Sequence, residues 1–203
     1  MTKAMCRVGL LGTLMVSMSS CATELASPVT QEQVTGSLVV GRIVTVLTGE
    51  RSRRYLPQMR FVELEDQDSH QRFQVTIESV DEYFAIDLPS GKYRLTRVQI
   101  REGPFMSMAN LSMAFSVDAR VVTYVGAWRF GVDSPRYGRM VVASVHHDEA
   151  AAAQARHFLD GRYPQFDRRT MVDALPQPAQ MAVRLYEVMP YPRYPRYFRR
   201  HWW

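Results

Sequence analysis

Apolar and polar positions alternate with a period of two through most of the chain between residues 36 and 146. Leu111, Met113, Phe115 and Val117 are interleaved with Ser112, Ala114 and Ser116, and Phe73, Val75 and Ile77 with Gln74 and Thr76. Phe84, Ile86 and Leu88 repeat the pattern. Successive side chains of a strand point to opposite faces, so each run predicts a strand with one face on a core. The valine-rich segments 38–47, 121–130 and 139–145 predict further strands. Tyr93 and Leu95 lie on one phase but Val98 and Ile100 on the other, which predicts a bulge near Thr96 and Arg97.

The punctuation between these runs is specific. Leu88-Pro89-Ser90-Gly91 has proline second and glycine fourth, as a type I turn prefers, and Asp66-Gln67-Asp68-Ser69 reads as a hairpin loop. After the strands, Asp148 and Glu149 open an apolar-faced segment over 150–160 that Gly161 closes, with Pro164 beyond. Acids at the start and Arg156 and His157 near the end predict a helix whose Ala151, Ala155 and Phe158 share one face. Residues 167–175 allow a second short helix, and 181–188 fits either a helix or a strand. The fold this predicts is mainly β: an antiparallel β-sandwich of about seven to eight strands, followed by one or two short α-helices.

The run from Tyr83 through Leu88-Pro89-Ser90-Gly91-Lys92-Tyr93 to Leu95 resembles the strand–turn–strand of prealbumin-like (carboxypeptidase regulatory-like) sandwiches, including domains of uncharacterised bacterial lipoproteins. Phe115-Ser116-Val117 followed by Val122-Thr123-Tyr124-Val125-Gly126 is similar to a strand pair of those lipoprotein domains. The resemblance covers about residues 37–146. It implies a binding or packing module and brings no catalytic residues with it.

Composition narrows the function classes. The chain has 203 residues, 46% hydrophobic and 22% charged, which is the make-up of a globular protein. No apolar run reaches the ~18 residues of a spanning helix. Two cysteines are too few for a disulfide scaffold or a thiolate zinc site. The net charge of +5 sits at the ends: setting aside Lys3, Arg7 and the arginines at 193, 196, 199 and 200 leaves 19 bases against 20 acids. A folded part this balanced argues against a nucleic-acid partner.

The N-terminus carries an address. Lys3 and Arg7 precede the apolar stretch 8–16, which has the length of a secretory signal core. Met18-Ser19-Ser20-Cys21 then resembles the lipobox of bacterial lipoproteins, with Met18 where leucine is usual. The resemblance implies that residues 1–20 are removed and that Cys21 carries diacylglycerol and an amide-linked acyl chain such as palmitate. Ala22 in place of aspartate implies transfer to the outer membrane. Each buried methylene contributes roughly 0.8 kcal/mol and one chain anchors only marginally, so the tether needs two or three. Residues 21–36 read as the lipidated cysteine and a flexible leash, spacing a domain over 37–188 about 20 Å from the leaflet.

Candidate chemistry is sparse. His146, His147, Asp148, Glu149 and His157 are the densest group of potential ligands. Adjacent strand residues point to opposite faces, so the region reads as a strand-end polar patch running into a helix cap. Glu63, Glu65, Asp66 and Asp68 lack the glycine and the final glutamate of a calcium loop and read as a solvated hairpin. There is no G-x-S-x-G elbow, phosphate-cradling loop or H-E-x-x-H. The tail, 189–203, is unusual: Tyr191, Tyr194 and Tyr197 alternate with Pro192, Pro195 and Phe198 and with Arg193, Arg196 and Arg199, in a period of three. Polyproline II has three residues per turn, so tyrosines would line one edge and arginines another. With Arg200, Trp202 and Trp203, this strip is the candidate partner-binding surface, suited to sugars, phosphate or carboxylate. The expected function is therefore non-catalytic and cofactor-free. It is that of a periplasm-facing outer-membrane lipoprotein that binds or braces an envelope protein, peptidoglycan or an anionic glycolipid. The alternative is a periplasmic metal-dependent or acid/base hydrolase using the 146–157 region.

Overall fold

The computed structural model describes residues 23–25, 37–48, 55–133, 139–166 and 169–188. The chain forms two six-stranded sheets packed face to face, with one helix against the second sheet. In chain order the strands are β1 (Thr23–Leu25), β2 (Ser37–Thr48), β3 (Gln58–Asp66), β4 (Arg72–Thr76), β5 (Asp81–Leu88), β6 (Gly91–Glu102), β7 (Phe105–Val117), β8 (Val122–Asp133) and β9 (Met140–His146). The helix α1 (Glu149–Arg162) and a 3₁₀ turn (Pro164–Phe166) follow, then β10 (Met171–Asp173), β11 (Gln180–Arg184) and β12 (Tyr186–Glu187). Sheet I runs β1-β4-β3-β6-β7-β12 and sheet II runs β11-β9-β8-β2-β5, with β10 pairing β8.

The alternation places its apolar phase between the sheets, as expected. Val62, Leu64, Phe73, Val75, Leu95, Val98, Leu111, Met113 and Phe115 meet Val39, Ile43, Ile86, Trp128, Phe130 and Val141 in one core. Trp128 stacks at a tilt between Phe84 and Phe115, with ring centroids 5.3 and 6.0 Å away. The phase change along β6 is a bulge: the register with β7 shifts between Leu95 and Arg97. Asp66 closes the β3–β4 hairpin by accepting from the amides of Asp68 (2.8 Å) and Ser69 (3.1 Å). The turn at Pro89 and Ser90 carries the chain from sheet II into sheet I, since β5 and β6 lie in different sheets. Tyr93 fixes that crossing by donating its hydroxyl to the Pro89 carbonyl at 2.8 Å, and burial raises its pKa above the ordinary value.

Four expectations are corrected. Sheet II is not antiparallel throughout, because β2 and β8 pair in parallel at its centre and β10 joins β8 in parallel. Sheet I likewise has β1 parallel to β4. Along its edge β8 takes β10 at residues 122–124 and β9 at residues 127–132. Gly126 lies between these two pairings with φ of +80°, a left-handed conformation that glycine adopts without strain. Opposite it, the β2–β8 register shifts between Val40 and Arg42, and at Gly41 an added Cβ would come within 2.8 Å of the Phe84 ring and Val125. Within 167–175, which allowed a second short helix, Met171–Asp173 form the strand β10 instead. The first helix passes Gly161 and ends at Arg162. Finally, within the expected leash, residues 23–25 form a strand at the edge of sheet I.

The outer faces of the two sheets differ. Sheet II is covered by α1, whose cap Asp148 accepts from the Ala151 amide at 2.6 Å. Ala155 and Leu159 of α1 join Leu38, Val40, Val122, Tyr124, Tyr163 and Phe166 in a second core. Over the outer face of sheet I no described element lies. Among the described residues no helix is long and apolar enough to cross a membrane.

Candidate functional site

The outer face of sheet I, over which no described element lies, is built by strand pairing. Its rows are read from the register. Arg72, Glu65, Arg94 and Ala114 stand abreast on β4, β3, β6 and β7, and the next row is Gln74, Glu63, Arg97 and Asn110. Beyond it come Thr76, Phe61, Gln99 and Met108, then Gln58, Arg101 and Met106. Lys92, opposite Ser116, precedes the first row on the same phase. Neighbouring strands are about 4.8 Å apart and same-face positions along a strand about 6.7 Å, so these side chains form a close lattice.

Five bases on this face, Arg72, Lys92, Arg94, Arg97 and Arg101, outnumber two acids, Glu63 and Glu65. The acids are already engaged. Glu63 is buried, accepts from Arg97 Nη2 and from Thr96 Oγ1 (3.1 Å), and has Arg72 Nη1 at 3.9 Å. Glu65 pairs with Arg72 Nε at 3.3 Å and with His70 Nδ1 at 3.3 Å. Arg101 donates from Nη2 to Gln58 Oε1 at 3.2 Å, a neutral partner that leaves its charge in place. Among the described residues Lys92 and Arg94 have no ion-pair partner. The face therefore keeps a positive potential, and planar guanidinium groups match carboxylate or phosphate in a two-point fork. Gln58, Gln74, Gln99, Asn110 and Ser112 add neutral donors and acceptors between the charges.

The residues singled out in the sequence fall as follows. Cys21 and the tail positions Tyr191, Arg193, Tyr194, Arg196, Arg199, Arg200, Trp202 and Trp203 lie outside the described residues, as does the signal segment 1–20. The histidines are engaged separately. His146 Nε2 lies 3.1 Å from Ser144 Oγ. His147 Nε2 lies 3.4 Å from Asp173 Oδ2, with its ring 5.8 Å from that of Tyr124. His157 is exposed on α1, and Asp148 is the helix cap. Among the described residues no group of three or more His, Cys, Asp or Glu is placed to hold a metal ion. The acidic cluster of the hairpin divides: Glu63 and Glu65 belong to the ion-pair lattice of sheet I, and Asp66 holds its own turn.

Charge arithmetic over the chain conceals the basic face, because nearly equal numbers of acids and bases average it away. Pairing puts Arg72, Arg94, Arg97 and Arg101 on one side, although 29 positions separate the first from the last. The sequence signal was present in the outward phase of β6, where Lys92, Arg94, Arg97 and Arg101 recur beside the apolar phase. No family model matches this chain, and neither the curated proteins nor the solved structures contain a match to it.

Proposed function

We propose that this protein is a non-catalytic, lipid-anchored component of the bacterial outer membrane. In this reading its sandwich binds a carboxylate-bearing envelope polymer, peptidoglycan being the best fit. The observation that carries the reading is the arginine-bearing outer face of sheet I, over which no described element lies. A sheet face with regular strand spacing suits a repeating, extended ligand, and guanidinium forks suit the carboxylates of peptide stems. Glutamine, asparagine and serine between the arginines supply hydrogen bonds to sugar hydroxyls and amides. Electrostatic recognition of this sort depends on salt, because exposed charges are screened within ~10 Å at 0.1 M and ~3 Å at 1 M.

The address supports the same reading. The segment 1–21 resembles a lipoprotein signal, and acyl chains on Cys21 would hold the domain beside the cell wall, raising its effective concentration there. Replacing Cys21 by alanine is expected to move the protein from the outer-membrane fraction to the soluble or unprocessed fraction. Retention of a processed Cys21→Ala protein in the outer membrane would show that acylation is not what holds it.

A further inference from the structure

The outer face of sheet I changes character from one side to the other. Over β4, β3 and β6 it carries the ion-pair lattice and the cations. The outward positions of β7 carry no charge: Met106, Met108, Asn110, Ala114 and Ser116. β12 continues this neutral half, with Tyr186 opposite Met108. Tyr186 is 43% exposed. Its hydroxyl donates to Asn110 Oδ1 at 3.2 Å, so the ring is held across β7 and does not swing off the sheet edge. Asn110 uses its oxygen in this bond and keeps the donors on its amide nitrogen.

Three kinds of group therefore stand side by side. Tyr186, Met108 and Gln99 run from aromatic to apolar to amide across β12, β7 and β6. Arg101 is the next outward position of β6 after Gln99, and its partner is the neutral Gln58. With strands about 4.8 Å apart and same-face positions about 6.7 Å apart, Tyr186 and Arg101 are separated by about 12 Å at Cα. A pyranose ring carrying a carboxylate arm has the matching groups. Its C–H face is apolar and stacks on an aromatic ring, its polar rim bonds planar amides, and its carboxylate meets a guanidinium. A bare peptide carboxylate would use the cations of β6 and find no complement in Tyr186.

We infer that the β7–β12 half of this face is a saccharide subsite for a carboxylate-bearing sugar. Tyr186 receives the ring, Gln99 and Asn110 bond its polar rim, and Arg101, at the border between the halves, takes the carboxylate. The inference rests on the envelope-polymer reading and deepens it, because it divides the face into a glycan half and a peptide-stem half.

The test is a nuclear magnetic resonance titration of the full chain with the peptide-free disaccharide of N-acetylglucosamine and N-acetylmuramic acid, whose lactyl group supplies the carboxylate. Chitobiose, which lacks that group, is the neutral comparison. Amide signals of residues 106–110 and 186 should shift, and the acidic disaccharide should bind at least about fivefold more tightly than the neutral one. Tyr186→Ser should lose roughly tenfold in affinity, whereas Tyr186→Phe, which keeps the ring, should stay within about threefold of wild type. Arg101→Gln should bring the acidic disaccharide down to the affinity of the neutral one. Shifts confined to β3 and β4, wild-type affinity in Tyr186→Ser, or equal binding of the two disaccharides by wild type would overturn the inference. Co-sedimentation with intact peptidoglycan separates the two readings. Retention of the polymer without disaccharide binding sinks the subsite alone, and loss of both sinks the envelope reading as well.

Discussion

Arg139 and Glu102 form a charge pair that joins the two sheets, and its removal tests how the sandwich is held closed. Glu102 ends β6 in sheet I, and Arg139 immediately precedes β9 in sheet II. The guanidinium donates to the Glu102 carboxylate and to Ser107 Oγ at 3.2 Å, and the Arg139 carbonyl accepts from the Leu185 amide at 2.8 Å. Exposures of 8% for Arg139 and 4% for Glu102 place both charges out of water. Removing Arg139 takes a buried guanidinium away from the buried Glu102 carboxylate, and breaking a buried pair from one side costs about 3–5 kcal/mol. Arg139→Met should therefore lower the melting temperature by roughly 10 °C, taking ~2–4 °C per kcal/mol for a domain of this size. Replacing both members, Arg139→Met with Glu102→Leu, exchanges the pair for apolar contact and should recover most of that loss. Ser107 still loses its partner in the double variant, so a residual cost of about 1 kcal/mol is expected. Urea titration followed by far-UV circular dichroism measures all three proteins. An Arg139→Met protein within 1 kcal/mol of wild type, or a double variant no better than the single one, would refute the reasoning.

Three further outcomes follow from single positions. Tyr124 is fully buried, its hydroxyl has no hydrogen-bond partner among the described residues, and burial pushes its pKa up to about 12. Tyr124→Phe should thus match or exceed wild-type stability, by up to ~1 kcal/mol in chemical denaturation, and a clear loss would reveal a partner. Gly41→Ala should cost about 1–3 kcal/mol, since its Cβ meets the Phe84 ring and Val125; an unchanged denaturation midpoint would show that β2 can move aside. Asp81 accepts from Arg42 Nε at 2.6 Å and Nη2 at 2.5 Å, and this pairing holds its carboxyl below the usual 3.8. Its contribution is present above about pH 4 and fades as pH falls through the depressed value, and because the pair is exposed it is worth only ~0.2–1 kcal/mol. Comparing Asp81→Asn with wild type should show a small melting difference at pH 6 that closes by about pH 2; a constant difference would mean that ionisation is not involved.

The features readable in the sequence are those with local causes. The bulge near Thr96 was visible because the apolar phase switches within β6, and the helix start because Asp148 is a side-chain cap. The parallel pairing of β2 with β8 was not, because it joins residues 84 to 85 positions apart and alternation says nothing about strand order or direction. Residues 171–173 become a strand by lying along the start of β8, although they have no strand period of their own. The arginine face was missed for a related reason. It is a product of pairing, assembled from β4 and β6, whereas the tail shows its period of three within a dozen residues.

The central claim is most directly tested by co-sedimentation of the purified protein with isolated peptidoglycan, comparing wild type with Arg94→Ala/Arg101→Ala across salt. Both substitutions lie on the solvent side of sheet I, so a thermal melt should confirm an intact fold. The account predicts that wild type sediments at 0.1 M salt, that binding declines toward 1 M as screening shortens, and that the variant loses roughly tenfold or more in affinity. Equal sedimentation of wild type and variant, undiminished at high salt, would contradict it.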